Sequence, residues 1–423
     1  MDLIKQLKKR WRSLKVIRPL FWAAYRKRPT AVVRRLRADH YLDKTFPSIY
    51  KEAAKKPVNQ RKALFIELRY DKLSASLQLL KDRMEEDGRF DVRVRCMNGS
   101  AKKVLQHYKD CRKLVAECAT AKYIFISDGS DVTGCLPMRR ETVFVETWHA
   151  CGAFKRFGMS TGNMFFGASK ERQMRHPAYG NVNYVTVSSP EVVWAYAEAM
   201  HLPEEVVHPV GVSRTDVFFD EERRRQAYQA LWDHFPAAKG KKVILFAPTY
   251  RGHLKTATTA DEFRPEVFAH SLSDEYVLVI KHHPLVQSLP EIRKDLKDQF
   301  AYDATRDMNI EDLLFTADIC ITDYSSIVFE YSLFLRPMLF FAYDLDEYYD
   351  WRGFYYPYEE MTPGPVCKTN EEMVEYITHM EQNFDQEEVR RFRDRFMSGC
   401  DGHATGRILE EVVKEGQRRA GVQ

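Results

Sequence analysis

From residue 63 onward, short apolar runs alternate with amphipathic stretches. Ala63–Leu68, Phe90–Val94, Tyr123–Ser127, Thr142–Val145 and Val182–Ser188 each read as a strand, and the 3.6-residue spacing over Leu73–Met84 and 101–118 predicts helices between them. Short strands separated by helices predict a parallel sheet covered on both faces. At Ser188-Ser189-Pro190-Glu191 the pattern is that of a helix start with proline in the first turn. The alternation restarts after a charged helix at 221–235 and the linker Pro236–Gly240. Lys242–Ala247, Tyr276–Lys281, Ile319–Thr322 and Pro337–Phe341 make a second strand series. Two successive doubly wound domains follow, 41–236 and 237–423. The length agrees, since 423 residues exceed the roughly 250 to 300 at which a single core stops growing.

In open α/β sheets, ligands sit outside the carboxyl ends of the strands, so the turns there are where chemistry is expected. I-T-D-Y-S-S, Ile321 to Ser326, ends a strand and opens a helix. Asp323, Ser325 and Ser326 there fit a phosphate site, with hydroxyls and unpaired backbone N–H groups converging at a positive helix end. Taken alone, the same residues serve equally as a helix cap. A-P-T-Y-R-G adds Thr249 and Arg251 to that rim, and I-K-H-H-P adds Lys281, His282 and His283. Arginine suits bidentate phosphate contacts, and the four groups together describe a pyrophosphate pocket.

In the first half, E-T-W-H-A-C-G-A-F-K-R-F-G puts His149 just past a strand, with Lys155 and Arg156 beyond it. Histidine suits proton transfer near neutral pH, and the small residues Ala150, Cys151 and Gly152 allow close approach of a backbone or substrate. Lys155, Arg156 and Cys151 are therefore candidate acceptor contacts. A nucleophilic Cys151 is the alternative to an inert small hydrophobe. The D-L-D at Asp344–Asp346 reads as a solvated acidic turn, with metal ligation as its rival.

Charge adds one feature. The net charge is +5, yet residues 1–40 carry thirteen Lys and Arg against two Asp. Leu3, Ile4, Leu7, Trp11 and Leu14 recur there at helical spacing, joined by Phe21, Trp22 and Tyr25. This is the composition of a helix lying on an anionic membrane surface; a helix packed on the domain and a nucleic-acid arm are the alternatives. Nothing downstream has a nucleic-acid-binding pattern. The eight cysteines are scattered without C-x-x-C or zinc spacing and read as reduced thiols. No apolar stretch has the form of a signal peptide or membrane span.

Together these motifs resemble the CDP-glycerol glycerophosphotransferase family, the teichoic acid primases and polymerases. The resemblance rests on W-H-A-C-G-A-F-K-R-F-G, G-V-S-R-T-D at 211–216, A-P-T-Y-R-G, K-H-H-P and D-Y-S-S-I-V-F-E-Y-S-L-F-L-R-P-M, in order over about 140 to 370. It implies a GT-B fold, with two Rossmann-like domains facing a cleft, the acceptor on the first and the nucleotide donor on the second. It implies transfer of an alditol phosphate, glycerol phosphate first and ribitol phosphate as the alternative, from CDP-glycerol or CDP-ribitol to an undecaprenyl-pyrophosphate-linked acceptor. The enzyme would sit peripherally on the cytoplasmic face of the membrane and use no cofactor or metal.

By the same resemblance His149 is the general base, His283 lies near the donor phosphates, and Ser325 and Ser326 hold the pyrophosphate. Thr249, Arg251, Lys281 and Asp323 complete the expected donor site. The chain departs from the family where Ala150-Cys151-Gly152 stands in place of Gly-Thr-Pro, and where His282 replaces an apolar residue. Its length, with no appended repeat, is that expected of a primase. Two alternatives stand beside this reading, a GT-B sugar transferase using a nucleotide sugar and a non-enzymatic scaffold; a second copy of the chain, in a homo-oligomer, is among the partners considered.

Overall fold

A computed structural model describes residues 29–98, 104–162, 164, 169–252, 257–346, 348 and 353–421. Most of the basic, aromatic segment 1–40 therefore lies outside the described residues. Its last part, Pro29–His40, is a helix on which Val33 and Leu36 are exposed while Arg37 lies over the Tyr108 ring.

Twelve strands among the described residues form two sheets, each with every strand pair parallel. The first comprises β1 (Asn59–Glu67), β2 (Asp91–Cys96), β3 (Ala121–Ile126), β4 (Val143–Glu146), β5 (Tyr184–Thr186) and β6 (Val207–His208), in the order β2-β1-β3-β4-β5-β6. The second comprises β7 (Lys242–Phe246), β8 (Tyr276–Ile280), β9 (Ala301–Asp303), β10 (Ile319–Thr322), β11 (Met338–Phe341) and β12 (Val366–Cys367), in the order β12-β11-β10-β7-β8-β9. The central strands β3, β8 and β10 are buried along their whole length, which is why their sequences run apolar without alternation.

Each strand order fixes where a ligand can sit. The first sheet changes its direction of growth between β1 and β3, the second between β7 and β10. At such a switch point the loops part and leave a crevice at the carboxyl ends. The crevices are thus framed by 68–74 and 127–131 on one sheet, and by 247–252 and 323–326 on the other.

One expectation about the domains is corrected. The second domain was expected to run to residue 423, but the helix Ala404–Arg419 returns to the first sheet. Ala404, Ile408 and Val412 are buried in one cluster with Ala63, Phe65, Tyr123, Phe125 and Val143. At Gly416 a Cβ would come within 2.5 Å of the Tyr123 hydroxyl. The apolar face of β1 and β3 needs a cover, and this helix supplies it. Before it, Gln386–Phe396 lies across both halves: Phe392 stacks on Phe329, Phe396 meets the same ring edge-to-face, and Ser188 Oγ donates to the Phe396 carbonyl at 2.7 Å. The two lobes are further joined by edge-to-face contacts of Phe154 with Phe329, Phe354 and Tyr358. Each such pair adds roughly 0.5–1.5 kcal/mol beyond area burial.

Candidate active site

β4 ends in Glu146, and the chain then turns through Trp148 at a φ of 54°. This is a strained conformation for a bulky residue, held by its surroundings. Glu146 is fully buried, and burial raises its carboxyl pKa well above the usual range; its Oε1 accepts the Trp148 N–H at 2.9 Å. The Trp148 ring stacks on Phe157. The turn carries His149 to the first crevice. There a cavity of about 260 Å³ is bordered by Glu67, Arg69, Ser74, Ser127, Asp128 and His149.

The loop after β1 is closed by Glu67, whose carboxylate accepts the N–H groups of Arg69 and Ser74 at 2.8 and 3.1 Å. Arg69 pairs with Asp128. The His149 Nδ1 lies 3.1 Å from the Ser127 carbonyl. A carbonyl can only accept, so Nδ1 carries the proton and Nε2 is the basic atom of the neutral ring. Burial lowers the His149 pKa from the ordinary histidine value, with the Asp128 charge opposing. The ring is therefore neutral and basic at neutral pH.

His283 has the opposite tautomer. Its Nδ1 accepts the Leu285 N–H at 3.2 Å, which places the ring proton on Nε2. Burial first, then the nearby charge of Lys155, lowers its pKa, so it is a neutral hydrogen-bond donor. Its ring meets Tyr250 at 4.8 Å. His282 points elsewhere: it is 5% exposed, with Nδ1 2.7 Å from Thr259 Oγ1.

The remaining donor-side candidates divide. Ser325 and Ser326 are half-buried at the start of the six-residue helix Ile327–Ser332, and Ser326 makes no side-chain cap. Ser325 Oγ accepts the Ile327 N–H at 3.4 Å. Arg251, Asp323 and Thr249 instead hold one another. Arg251 donates to Asp323 at 2.8 Å, to Asp344 at 2.6 and 3.0 Å, and to the Thr249 carbonyl and hydroxyl at 2.8 and 3.0 Å. Asp323 also accepts the Thr249 N–H at 2.9 Å. This network welds the β7 turn to the β10 turn and leaves the guanidinium little donor capacity for a ligand. Asp344, read from sequence as a solvated turn, is half of that clamp and also accepts from Tyr324. Lys281 turns its ammonium onto the carbonyls of Ala304, Thr305 and Met308 and so braces a loop.

Cys151, Lys155 and Arg156, expected as acceptor contacts, make their contacts to the second lobe. Cys151 is 1% exposed, against Cys400 and Glu330, and burial raises its thiol pKa well above the usual value, the surroundings of an inert small hydrophobe. Lys155 pairs by its backbone with Phe354 of the second lobe and lies over the Tyr348 ring. Arg156 Nε donates to the Phe354 carbonyl at 3.1 Å. Neither borders the His149 cavity. Gly152, at a φ of 59°, is required by the fold: a Cβ would fall 2.1 Å from Phe329 Cζ.

Arg69, Asp128 and Arg214 were not singled out as site residues by the sequence reading. The first two follow β1 and β3, so the strand-end rule already points to them; Arg214 is in G-V-S-R-T-D. A larger hollow of about 900 Å³, bordered by Lys241, His270 and Phe300, lies at the amino ends of β7, β8 and β9, opposite both crevices.

The family model of CDP-Glycerol:Poly(glycerophosphate) glycerophosphotransferase matches residues 48–414. The chain belongs to this family. It is 32% identical over 366 residues to the teichoic acid ribitol-phosphate primase of Bacillus spizizenii, covering 84% of this chain and 92% of that relative. It is 38% identical over 297 residues to the teichoic acid poly(ribitol-phosphate) polymerase of the same organism, covering 70% of this chain. The alignment spans 47% of that polymerase, about half its length. The structure of the wall teichoic acid polymerase TagF matches with a TM-score of 0.71 at 22% identity, over 99% of both chains. The two-domain GT-B architecture expected of a glycerophosphotransferase is the one found. Among the described residues, no helix is long and apolar enough to cross a membrane.

Proposed function

We propose that this glycerophosphotransferase-family chain moves an alditol phosphate from a CDP-alditol to a hydroxyl of a lipid-linked acceptor and releases CMP. The observation that carries the reading is the opposed tautomers of its two site histidines. His149 offers a basic Nε2 in the first-lobe crevice, and His283 offers an Nε2–H donor beside the second. The acceptor hydroxyl gives its proton to His149 as its oxygen attacks the β-phosphorus. The bond from that phosphorus to the CMP oxygen breaks. His283, Lys155 and the Ser325-Ser326 turn balance the charge on the phosphoryl oxygens and the leaving phosphate. Arg251, Asp323 and Asp344 hold the donor-side turns in place.

The alditol we assign is ribitol. Glycerol was the first expectation from sequence, but the relatives at 38% and 32% identity are both named as ribitol-phosphate enzymes. Kinetics with CDP-ribitol and CDP-glycerol on a synthetic lipid acceptor are expected to give the larger kcat/KM with CDP-ribitol. An equal or larger value with CDP-glycerol would overturn that choice, and release of CMP from neither would overturn the function.

The segment 1–40 is proposed to hold the chain on the anionic cytoplasmic face of the membrane, supported by its thirteen basic residues and the exposed Val33 and Leu36. Removal of residues 1–28 is expected to reduce flotation with phosphatidylglycerol vesicles; unchanged flotation would refute this role.

A further inference from the structure

Arg214 lies in the turn Ser213–Phe219 after β6, on the first lobe, and its side chain is 15% exposed. Its Nη1 donates to the His149 carbonyl at 2.7 Å. Its Nη2 lies 3.3 Å from Glu311 Oε1 and 3.5 Å from Glu330 Oε1, both on the second lobe. Glu311 is on the helix Ile310–Thr316, and Glu330 is on Ile327–Ser332, the helix that begins at Ser325-Ser326. One guanidinium thus joins the His149 main chain to the helix that opens at the donor-side serines.

The pairing is poorly built for stability alone. Its contacts to the carboxylates are long, and Arg214 Nε and Glu330 Oε2 are both buried without a hydrogen-bond partner. Buried ion pairs are often replaceable by apolar packing without loss, so stability does not explain retaining this one. Position does. The His149 peptide follows a strained Trp148, and its carbonyl accepts from this arginine, which in turn meets two carboxylates of the second lobe.

We infer that Arg214 is a positioning residue: through Glu330 and Glu311 it sets His149 against the helix start at Ser325-Ser326, so that base and donor phosphate come into register when the lobes are docked. This rests on the reading of His149 as the base. Lysine at 214 keeps the charge but is a point donor and cannot hold the carbonyl and both carboxylates in one planar fork. Displacing a reacting group by about 1 Å costs on the order of a hundredfold in rate.

The test is kinetics of R214K, E330Q and the double variant with CDP-ribitol and CDP-glycerol, alongside calorimetric donor affinity and thermal midpoints. R214K is expected to lose roughly a hundredfold in kcat with donor Kd unchanged and the fold retained. E330Q should show a smaller loss of the same kind. The double variant should be no worse than R214K, because both changes break one link. A near wild-type kcat in R214K, additive losses, or a kcat loss that merely follows a fall in thermal midpoint would overturn the inference alone. A wild-type chain that turns over neither donor would overturn the functional reading and this inference with it.

Discussion

Replacing His149 with alanine is expected to lower kcat about a hundredfold to ten-thousandfold, the usual contribution of a positioned general base. The Kd for the CDP-alditol should stay as it is, because His149 belongs to the first-lobe crevice and the donor to the second. The pH dependence carries the same signature. A base works in its deprotonated form, so rate falls as pH drops through its pKa. Burial lowers that pKa from the ordinary histidine value, so the acid limb of kcat/KM should lie below pH ~6.5, the unperturbed value, and vanish in His149→Ala. Retained turnover, or an unchanged acid limb in the variant, would remove His149 from the role.

Arg251→Ala is expected to destabilise the fold by about 3–5 kcal/mol, the cost of stripping the partner from buried charges. The side chain of Asp323 is 1% exposed and that of Asp344 18%; without the guanidinium the two carboxylates, in the turns after β10 and β11, lose their shared cation. Urea unfolding should show a lower midpoint. Donor affinity should fall with it, since the turns at the second crevice lose their common anchor. Arg251→Lys should fall between, keeping the charge but not the bidentate geometry. Lost donor affinity with an unmoved unfolding midpoint would contradict the clamp and make Arg251 a direct donor ligand instead.

The two residues illustrate what motif reading resolves. Both were legible as strand-end groups, because a parallel α/β unit delivers the residue after each strand to one rim. The direction in which each side chain turns there was not legible. Lys281, Thr249 and Asp323 occupy the predicted rim and spend their polar atoms on neighbouring loops. Lys281 meets Ala304 and Met308, and Asp323 meets Thr249 and Arg251, all pairs more than twenty residues apart in the chain that carry no local signal. Cys151 and Gly152 show the same limit: the small residues do serve close approach, but what approaches is Phe329 of the other lobe. The edge strands β6, β9 and β12, of two or three residues, are too short for periodicity to report.

By itself the sequence determined the alternation of buried strands and helices, hence two parallel sheets, and the set of turns at which chemistry gathers. These follow from local hydrophobic spacing and motif order. Only the tertiary structure decided the strand orders that open one crevice between β1 and β3 and another between β7 and β10. It also decided the tautomers of His149 and His283, set by single backbone contacts, and the return of Ala404–Arg419 to cover the first sheet. Arg214 reaches both lobes for the same reason: contacts between residues far apart in the chain depend on which surfaces remain uncovered once the local elements have formed.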